Sequence, residues 1–411
     1  MKFRDPIQTA IELDRADPLA GFRSAFVIGN PDRIYLDGNS LGRLPVQTRQ
    51  RLHDLIDFEW GEHQVEAWKD WIGLPNRLGA KIAKLVGGGA DEVLVCDSTS
   101  VNLYKLTMAA LTLRPNRNTI LTSSDNFPSD VYLLQGCGKE TGRKVQICEP
   151  EDVLAQITED VAIVSLTHCA FKTGRLYDMQ RVTERAHECG ALVLWDLSHS
   201  VGSVPLDLNK NGVDLAVGCT YKYLNGGPGS PAFLYARHGL QEKLTNPIWG
   251  WFGQKNPFGF SLEYESAAGL QRFMTGTPPI LSMAAIEGGV DLILEAGMDA
   301  LREKSIRQTE FLVDLWQDHL EVLGVTLNSP TDPASRGSHV SLGHPHAYQI
   351  DQALIKEMNV IPDFRTPDNI RFGVTPLYTT FWEIAEAVLR MRRVIESRSY
   401  TAYANEFSSV T

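Results

Sequence analysis

The stretch VAIVSLTHCAFKTGRLYDMQRVTERAHECGALVLWDLS, residues 161–198, has the pattern of a strand, a helix and a second strand. Its two ends, Val161–His168 and Ala191–Ser198, are short apolar runs rich in residues that favour strands. The helical part between them ends at Gly190, and glycine commonly caps helices. Strands joined by a crossover helix lie parallel in a sheet whose faces are covered by helices. The stretch therefore predicts an α/β fold.

Three further β-rich runs follow the same pattern: Val93–Cys96, Thr119–Ser123 and Val213–Thr220. Most intervals between the runs are long enough for a crossover helix, and residues 100–114 show apolar side chains at helical spacing before Pro115. We therefore expect a largely parallel sheet with helices on both faces. In open sheets of this kind, ligands bind beyond the carboxyl ends of the strands, so the polar residues that follow each strand form the candidate site.

The pattern changes beyond about residue 280. Long amphipathic helices are predicted in segments 282–324 and 379–399, with a short strand region between them. We expect a large domain over residues 51–280, a smaller α+β domain over residues 281–411, and an N-terminal arm, residues 1–50, that contributes to the smaller domain.

The composition excludes several classes of partner. Fifty acidic against 39 basic side chains give a formal charge of −11, so nucleic acid or an anionic membrane surface would be repelled. The N-terminus lacks the apolar core of a secretion signal, and no apolar run approaches the length of a bilayer span. The six cysteines form no CxxC pair, which favours reduced thiols over disulfides or a zinc site. We expect a cytoplasmic protein, without a metal, that acts on small molecules.

Two hydroxyl residues, Thr99 and Ser100, follow the first predicted strand and open a helix. Hydroxyls and free backbone N–H groups at a helix N-terminus favour anions. A plain helix cap explains the same residues equally well.

The next two strand ends carry weaker signals. Phe127 and Asp130 follow the run Thr119–Ser123, and the ring of Phe127 could stack on a planar ligand or pack against the following helix. Thr167 ends the next strand at the same edge of the sheet, where a threonine is more often structural than functional.

The last two strand ends carry charge. Asp196 is a carboxylate at the tip of an apolar strand, where it needs a cation or a hydrogen-bond donor unless it only caps a loop, and His199 follows it closely. Lys222 comes directly after the strand Val213–Thr220, between two tyrosines. Lysine is seldom buried unless it is paired or chemically used, although here it could also extend past the tyrosines to solvent.

Considered together, these strand ends match the needs of pyridoxal phosphate. The cofactor requires donors for its phosphate, a side chain against its ring, a carboxylate that keeps its ring nitrogen protonated, and a lysine that condenses with its aldehyde. The four candidate groups supply these contacts in turn.

Longer motifs extend the comparison: over most of its length, the chain resembles the kynureninases, a family of fold-type I pyridoxal-phosphate enzymes. The motifs that carry the resemblance are Tyr35–Gly42, Trp60–Trp68, Phe127–Asp130, Trp195–Gly202, Thr220–Asn225, Gly250–Gly253, Phe273–Ile280 and Asn369–Phe381. The resemblance implies a mostly parallel seven-stranded sheet in the large domain and a homodimer with shared active sites. The implied reaction is hydrolysis of the Cβ–Cγ bond of L-kynurenine or 3-hydroxy-L-kynurenine, which yields anthranilate or 3-hydroxyanthranilate and L-alanine in tryptophan catabolism.

The resemblance also assigns roles to residues. It implies cofactor contacts for Thr99, Ser100, Phe127, Asp130, Thr167, Asp196, His199, Tyr221, Lys222, Trp251 and Thr277. Trp251 and Thr277 would come from the second subunit, and some relatives carry asparagine in place of Thr277, which leaves the preferred ring substituent open. Lys222 and Tyr221 would be catalytic, Tyr221 as a proton relay with a lowered pKa. The implied substrate contacts are Arg371 at the α-carboxylate, and His63 and Ser40 at the aryl ketone.

Rival functions remain on the same or other folds. A cysteine desulfurase or selenocysteine lyase needs a nucleophilic cysteine well beyond the lysine, but the last cysteine here is Cys219. An aminotransferase would release a keto acid, and a catalytically inactive binding protein would not explain why the chain retains Lys222, Asp196 and Arg371. The glycine-rich run at 86–93 precedes a strand, so it lacks the context of a nicotinamide-binding loop.

Overall fold

The computed structural model describes residues 5–403; residues 1–4 of the expected N-terminal arm and residues 404–411 of the expected small domain lie outside the described residues. In chain order, the strands are β1 (Ile34–Tyr35), β2 (Val93–Val95), β3 (Thr119–Ser123), β4 (Lys144–Cys148), β5 (Val161–Thr167), β6 (Leu192–Asp196), β7 (Leu215–Gly218), β8 (Phe233–Ala236), β9 (Thr326–Leu327), β10 (His339–Gly343), β11 (Val360–Ile361), β12 (Asp363–Arg365) and β13 (Asn369–Gly373).

The α-helices are α1 (Pro6–Arg15), α2 (Val46–Asp54), α3 (Trp68–Trp71), α4 (Leu74–Val86), α5 (Thr99–Thr112), α6 (Pro128–Thr141), α7 (Val153–Gln156), α8 (Met179–Glu188), α9 (His238–Gln241), α10 (Ile280–Ala284), α11 (Ile286–Ala296), α12 (Met298–His319), α13 (Ala347–Met358) and α14 (Phe381–Ser397). A π-helical segment, Leu55–His63, follows α2, and short 3₁₀ turns connect several of the other elements. None of the described helices combines the length and apolar character needed to cross a bilayer.

The main sheet has the order β2-β8-β7-β6-β5-β3-β4 among the described residues. The strands from β7 to β4 pair in parallel, and β8 is antiparallel to both of its neighbours. This arrangement confirms the α/β fold with a mostly parallel, seven-stranded sheet. Sequence reasoning missed β4 and β8. β4 is an edge strand whose side chains are partly exposed, so it lacks the continuous apolar run of its neighbours.

Both faces of the sheet are buried, and alternate residues of each strand serve different cores. In β6, Val193 and Trp195 pack in the core that also holds α4 and α11, whereas Leu192 and Leu194 pack in the core that holds α5. The apolar runs read from the sequence are therefore strands covered on both sides. As predicted, the helix in the opening stretch ends next to Gly190, whose φ of 73° is left-handed.

A third core lies around the antiparallel sheet β12-β13-β10-β9 and helices α12, α13 and α14. The N-terminal segment joins it through Ala10 of α1 and Ile34 of β1. Helix α12 spans two cores, because Leu301 packs with the main sheet and Leu312 with the second sheet. The domain boundaries at residues 50 and 280 stay predictions.

Close packing between α4 and β2 depends on Gly79. A Cβ atom at this position would lie 2.1 Å from the carbonyl oxygen of Val93. Since backbone cannot move aside as a side chain can, we expect Gly79→Ala to lower the free energy of unfolding by about 1–3 kcal/mol. Gly136→Ala is the matched control, because Gly136 also lies within a helix but has open space around it. Urea unfolding of both variants would contradict this account if they had equal stability.

Candidate active site

A cavity of about 420 Å³ lies at the carboxyl ends of the parallel strands. The predicted site residues that line it are Thr99, Ser100, Phe127, Asp130, Thr167, Asp196, His199, Tyr221 and Lys222. They meet because parallel strands end at the same edge of the sheet; Thr167 and Asp196, for example, are paired neighbours at the ends of β5 and β6.

Lys222 points its amine into this cavity. Its Nζ atom lies 3.0 Å from Nε2 of His199 and 5.8 Å from the centre of the Phe127 ring. The side chain therefore does not extend past the tyrosines into solvent. The pKa of His199 is held well below its usual value by burial and by the positive charge of Lys222, so the imidazole is neutral and Nε2 can accept a hydrogen bond from the lysine.

Asp196 is buried at the end of β6 and is held by Ser198. One carboxylate oxygen accepts hydrogen bonds from the Ser198 backbone N–H at 2.9 Å and from the Ser198 hydroxyl at 2.6 Å. The Ser198 hydroxyl also accepts a bond from the backbone N–H of Cys219, which ties the end of β6 to the chain that leaves β7. Sequence reasoning did not assign Ser198, although a serine two residues after an aspartate often bonds it in this way.

Asp130 contributes a second buried carboxylate. Burial raises its pKa well above the ordinary carboxyl value, and the negative charge of Asp196 adds to the rise. Its Oδ2 atom has no hydrogen-bond partner within residues 5–403. Leaving such an oxygen unpaired is costly, so the site suits a ligand that donates to it.

The anion end of the cavity is the N-terminus of α5. Ser98 is the helix cap, because its hydroxyl accepts a bond from the backbone N–H of Val101 at 3.3 Å. The plain-cap explanation therefore applies to Ser98. Thr99 and Ser100 lie in the first turn and line the cavity, where the first N–H groups of a helix lack partners within it.

An aromatic pair forms one wall of the cavity. The ring of Phe127 contacts Phe171 edge to face, with 5.1 Å between ring centres, and both residues line the cavity. Phe171 lies in the loop after β5, and nothing in its local sequence distinguished it as a site residue.

The expected lowering of the Tyr221 pKa is wrong. The pKa of Tyr221 is raised, first by the neighbouring Cys219 thiol, then by burial and by the charge of Asp196. The phenol therefore stays protonated at neutral pH and serves as a donor.

Two predicted substrate residues lie behind the cavity wall. Arg371, on β13, is buried and forms an ion pair with Asp363, and it donates hydrogen bonds to the carbonyl oxygen of Phe171 and to the hydroxyl of Ser40. Burial lowers the pKa of Arg371 to about 10. Neither Arg371 nor Ser40 lines the cavity; Phe171 connects them to it.

The remaining predicted contacts lie on the surface of the chain. Trp251 is 41% exposed and packs against Phe252, while Thr277 and His63 are also exposed. None of these three lines the cavity, although Pro279, two residues after Thr277, does.

Comparisons with known proteins identify the family of the chain. Residues 301–391 match the family model described as the kynureninase C-terminal domain. The kynureninase of Pseudomonas fluorescens is 42% identical over 400 residues, which cover 95% of each chain. The kynureninase of Deinococcus radiodurans is 43% identical over 392 residues, which cover 93% of this chain and 95% of the relative. The chain belongs to the kynureninase family.

Solved structures of lower identity share the fold. A cysteine desulfurase from Thermococcus onnurineus NA1 superposes with a TM-score of 0.77 at 17% identity, covering 94% of this chain and 98% of the other. A variant of C-DES with glycine linked to its PLP cofactor gives a TM-score of 0.79 at 17% identity, covering 90% and 98%. At this identity the likeness supports the architecture of this kynureninase-family chain alone.

The unpartnered carboxylate of Asp130 predicts a pH-dependent stability in the protein without added ligand. The pKa of Asp130 is higher in the folded protein than in the unfolded chain. The stability that this group contributes is therefore fully present at pH values below the ordinary carboxyl pKa, and it is lost as the pH rises through the raised pKa. Asp130→Asn removes that charge, so at pH 8 the free energy of unfolding of the variant should exceed that of the wild type by about 1 kcal/mol or more, which raises its melting temperature. The difference should be smaller near pH 4. The exposed Asp32→Asn is the control. Equal melting temperatures at pH 8 would contradict the prediction.

Proposed function

We propose that this chain hydrolyses the Cβ–Cγ bond of L-kynurenine, or of 3-hydroxy-L-kynurenine, to anthranilate or 3-hydroxyanthranilate and L-alanine, with pyridoxal 5′-phosphate as cofactor. Relatives that are 41%, 42% and 43% identical over nearly the whole chain are named kynureninase. The observation in this molecule that supports the proposal is a single cavity lined by the amine of Lys222 and the carboxylate of Asp196.

The residues of the cavity fit the cofactor. Lys222 lines the cavity, where its amine could condense with the aldehyde of the cofactor, and the carboxylate of Asp196 could pair with the protonated ring nitrogen. The N-terminus of α5 suits the phosphate. The unpartnered oxygen of Asp130 and the unpartnered Nδ1 atom of His199 are buried polar atoms that a polar ligand can satisfy, judged within the described residues. Phe127 supplies an aromatic surface.

When bound, pyridoxal phosphate supplies an electron sink that stabilises negative charge on the substrate carbon. The Nζ atom of Lys222 takes the Cα proton as a general base, and His199 holds that atom at 3.0 Å. Water adds to the γ-carbonyl carbon of the substrate, the Cβ–Cγ bond breaks, and anthranilate leaves before alanine. The protonated phenol of Tyr221 is our candidate for the proton delivered to Cβ.

Arg371 is our candidate for the substrate α-carboxylate. Its Nε atom is buried without a hydrogen-bond partner in the part of the chain that the structure describes, so one donor of the guanidinium is available. Arginine suits this role because its planar donors match a carboxylate. The contacts of Ser40 and His63 with the aryl ketone stay predictions.

We infer a homodimer from exposed apolar surface. An aromatic loop, residues 248–264, exposes Trp249, Trp251, Phe258, Phe260 and Leu262, and a second patch exposes Ile56, Phe58, Trp60 and Leu281. Large apolar side chains that are exposed together often mark an interface. Trp251 belongs to the first patch and Thr277 lies near the second, which supports their assignment to the cofactor site of a second subunit. A cytoplasmic location is part of the same proposal.

A cysteine desulfurase is the less suitable alternative despite its similar fold. No cysteine follows Lys222 in the sequence, and Cys219 is buried. Burial also raises the pKa of the Cys219 thiol, which disfavours a nucleophilic thiolate. An aminotransferase is distinguished by its products, because it needs a second amino acceptor. With kynurenine alone it would yield at most one keto acid per bound cofactor, and neither anthranilate nor alanine.

The central test concerns Lys222. Lys222→Ala should lower kcat for anthranilate release by about 10³-fold or more, because the general base is lost. Borohydride should fix the cofactor to the wild-type chain but not to this variant. Lys210→Ala is the control, because Lys210 is exposed and does not line the cavity. Normal anthranilate production by Lys222→Ala would refute the assignment.

A complementation experiment tests the shared site. Lys222→Ala and Trp251→Ala should each have little activity alone. A mixed dimer, however, contains one site with Lys222 from one subunit and Trp251 from the other. Coexpression should therefore recover about one quarter of the wild-type activity if subunits pair at random. Activity no greater than the mean of the two separate variants would exclude a site shared in this way.

A further inference from the structure

A buried ion pair lies behind the anion end of the cavity, and none of the roles above uses it. Lys105, on α5, is fully buried, and its amine contacts the carboxylate of Asp97 and donates to the carbonyl oxygen of Phe273 at 2.6 Å. Burying an ammonium group is costly unless it is paired, so the position of this lysine needs an explanation.

Asp97 is the part of this pair that reaches the cavity. It lies two residues before the first residue of α5, lines the cavity, and has a left-handed φ of 46°. Its carbonyl oxygen accepts a bond from Ala232 at 2.8 Å, and its carboxylate accepts one from the Thr275 hydroxyl at 3.2 Å. The turn that starts the helix is therefore fixed by contacts on several sides.

The carboxylate of Asp97 conflicts with an anion site unless it is neutralised. Asp97 lines the same cavity as Thr99 and Ser100, and its side chain keeps 24% of its exposure. Two negative groups that approach each other in a partly dry site repel strongly. Lys105 is the cation in contact with Asp97, and it approaches from inside the fold.

We propose that Lys105 is a positioning residue for the phosphate of the cofactor. It neutralises Asp97 and holds the turn before α5 in place, so that the helix N-terminus accepts a dianion. It also ties this turn to Phe273, in the segment that leads to Thr277. The inference rests on the proposed function, because it assumes that pyridoxal phosphate occupies the cavity.

A purely structural role makes a different prediction, and the chain offers a matched control. Lys304 is also buried, pairs with Asp17 at 2.6 Å and donates to the carbonyl oxygen of Pro376, but it does not line the cavity. Lys304→Met should lower stability and leave the preference for a phosphorylated ligand unchanged. Lys105→Met should change that preference.

The experiment compares pyridoxal phosphate with pyridoxal, which lacks the phosphate. Dissociation constants are measured by absorbance on protein stripped of cofactor. For Lys105→Met we expect the affinity for pyridoxal phosphate to fall by about 10- to 100-fold, because the Asp97 charge is no longer compensated, with little change for pyridoxal. The double variant K105M/D97N should recover most of the loss. Inorganic phosphate should raise the melting temperature of the wild type and of the double variant more than that of Lys105→Met.

Several outcomes would overturn the inference. One is an equal loss of affinity for pyridoxal phosphate and for pyridoxal in Lys105→Met. Another is that the double variant does not recover its affinity for pyridoxal phosphate. If Lys105→Met does not fold, Asp97→Asn alone serves as the test. It should keep the preference for the phosphorylated ligand, and loss of that preference would refute the neutralising role. A wild-type protein that binds no pyridoxal phosphate would instead refute the proposed function.

Discussion

The site depends on a lysine amine held 3.0 Å from a neutral imidazole in a cavity that also contains two buried carboxylates. Each of these groups would be better solvated in water, and Asp130 and His199 each keep a buried polar atom without a partner among the described residues. The fold tolerates this arrangement because the strands and helices around it are fixed by large apolar cores on both faces of the sheet. The stability of those cores offsets the cost of burying polar groups whose remaining hydrogen bonds are made by a ligand and not by the protein.

Several features were readable from the sequence because they depend on local pattern. Strands buried on both faces appear as apolar runs, and the polar residues at their ends meet by the geometry of a parallel sheet, as Thr167 and Asp196 do. Other features depend on contacts between distant segments. Phe171 became part of the site only because its loop folds against Phe127. The rise in the Tyr221 pKa required knowledge of which charges surround it. The antiparallel strand β8 follows a glycine-rich loop and not a crossover helix, so the alternation of strands and helices did not predict it.

Two parts of the cavity are held by different kinds of interaction. At the N-terminus of α5, backbone geometry dominates, since Ser98 caps the helix and Asp97 takes a left-handed turn before it. At the wall that contains Phe171, a contact between distant segments contributes, because the side chain of Arg371, on β13, donates to the carbonyl oxygen of Phe171. Contacts of the first kind follow from local backbone geometry, whereas contacts of the second kind depend on how distant segments fold against each other.

The ion pair between Arg371 and Asp363 has a consequence for substrate binding. These residues are direct neighbours in the β12–β13 ladder, so the backbone register fixes their contact. If Arg371 binds the substrate carboxylate as proposed, the incoming carboxylate meets a guanidinium that is already removed from water and already paired. The cost of desolvating the arginine is therefore met during folding, and binding has only to supply a second acceptor to a preorganised donor. A lysine at this position could not serve both carboxylates in the same way, because its single charged atom lacks the separate donors that a planar guanidinium presents.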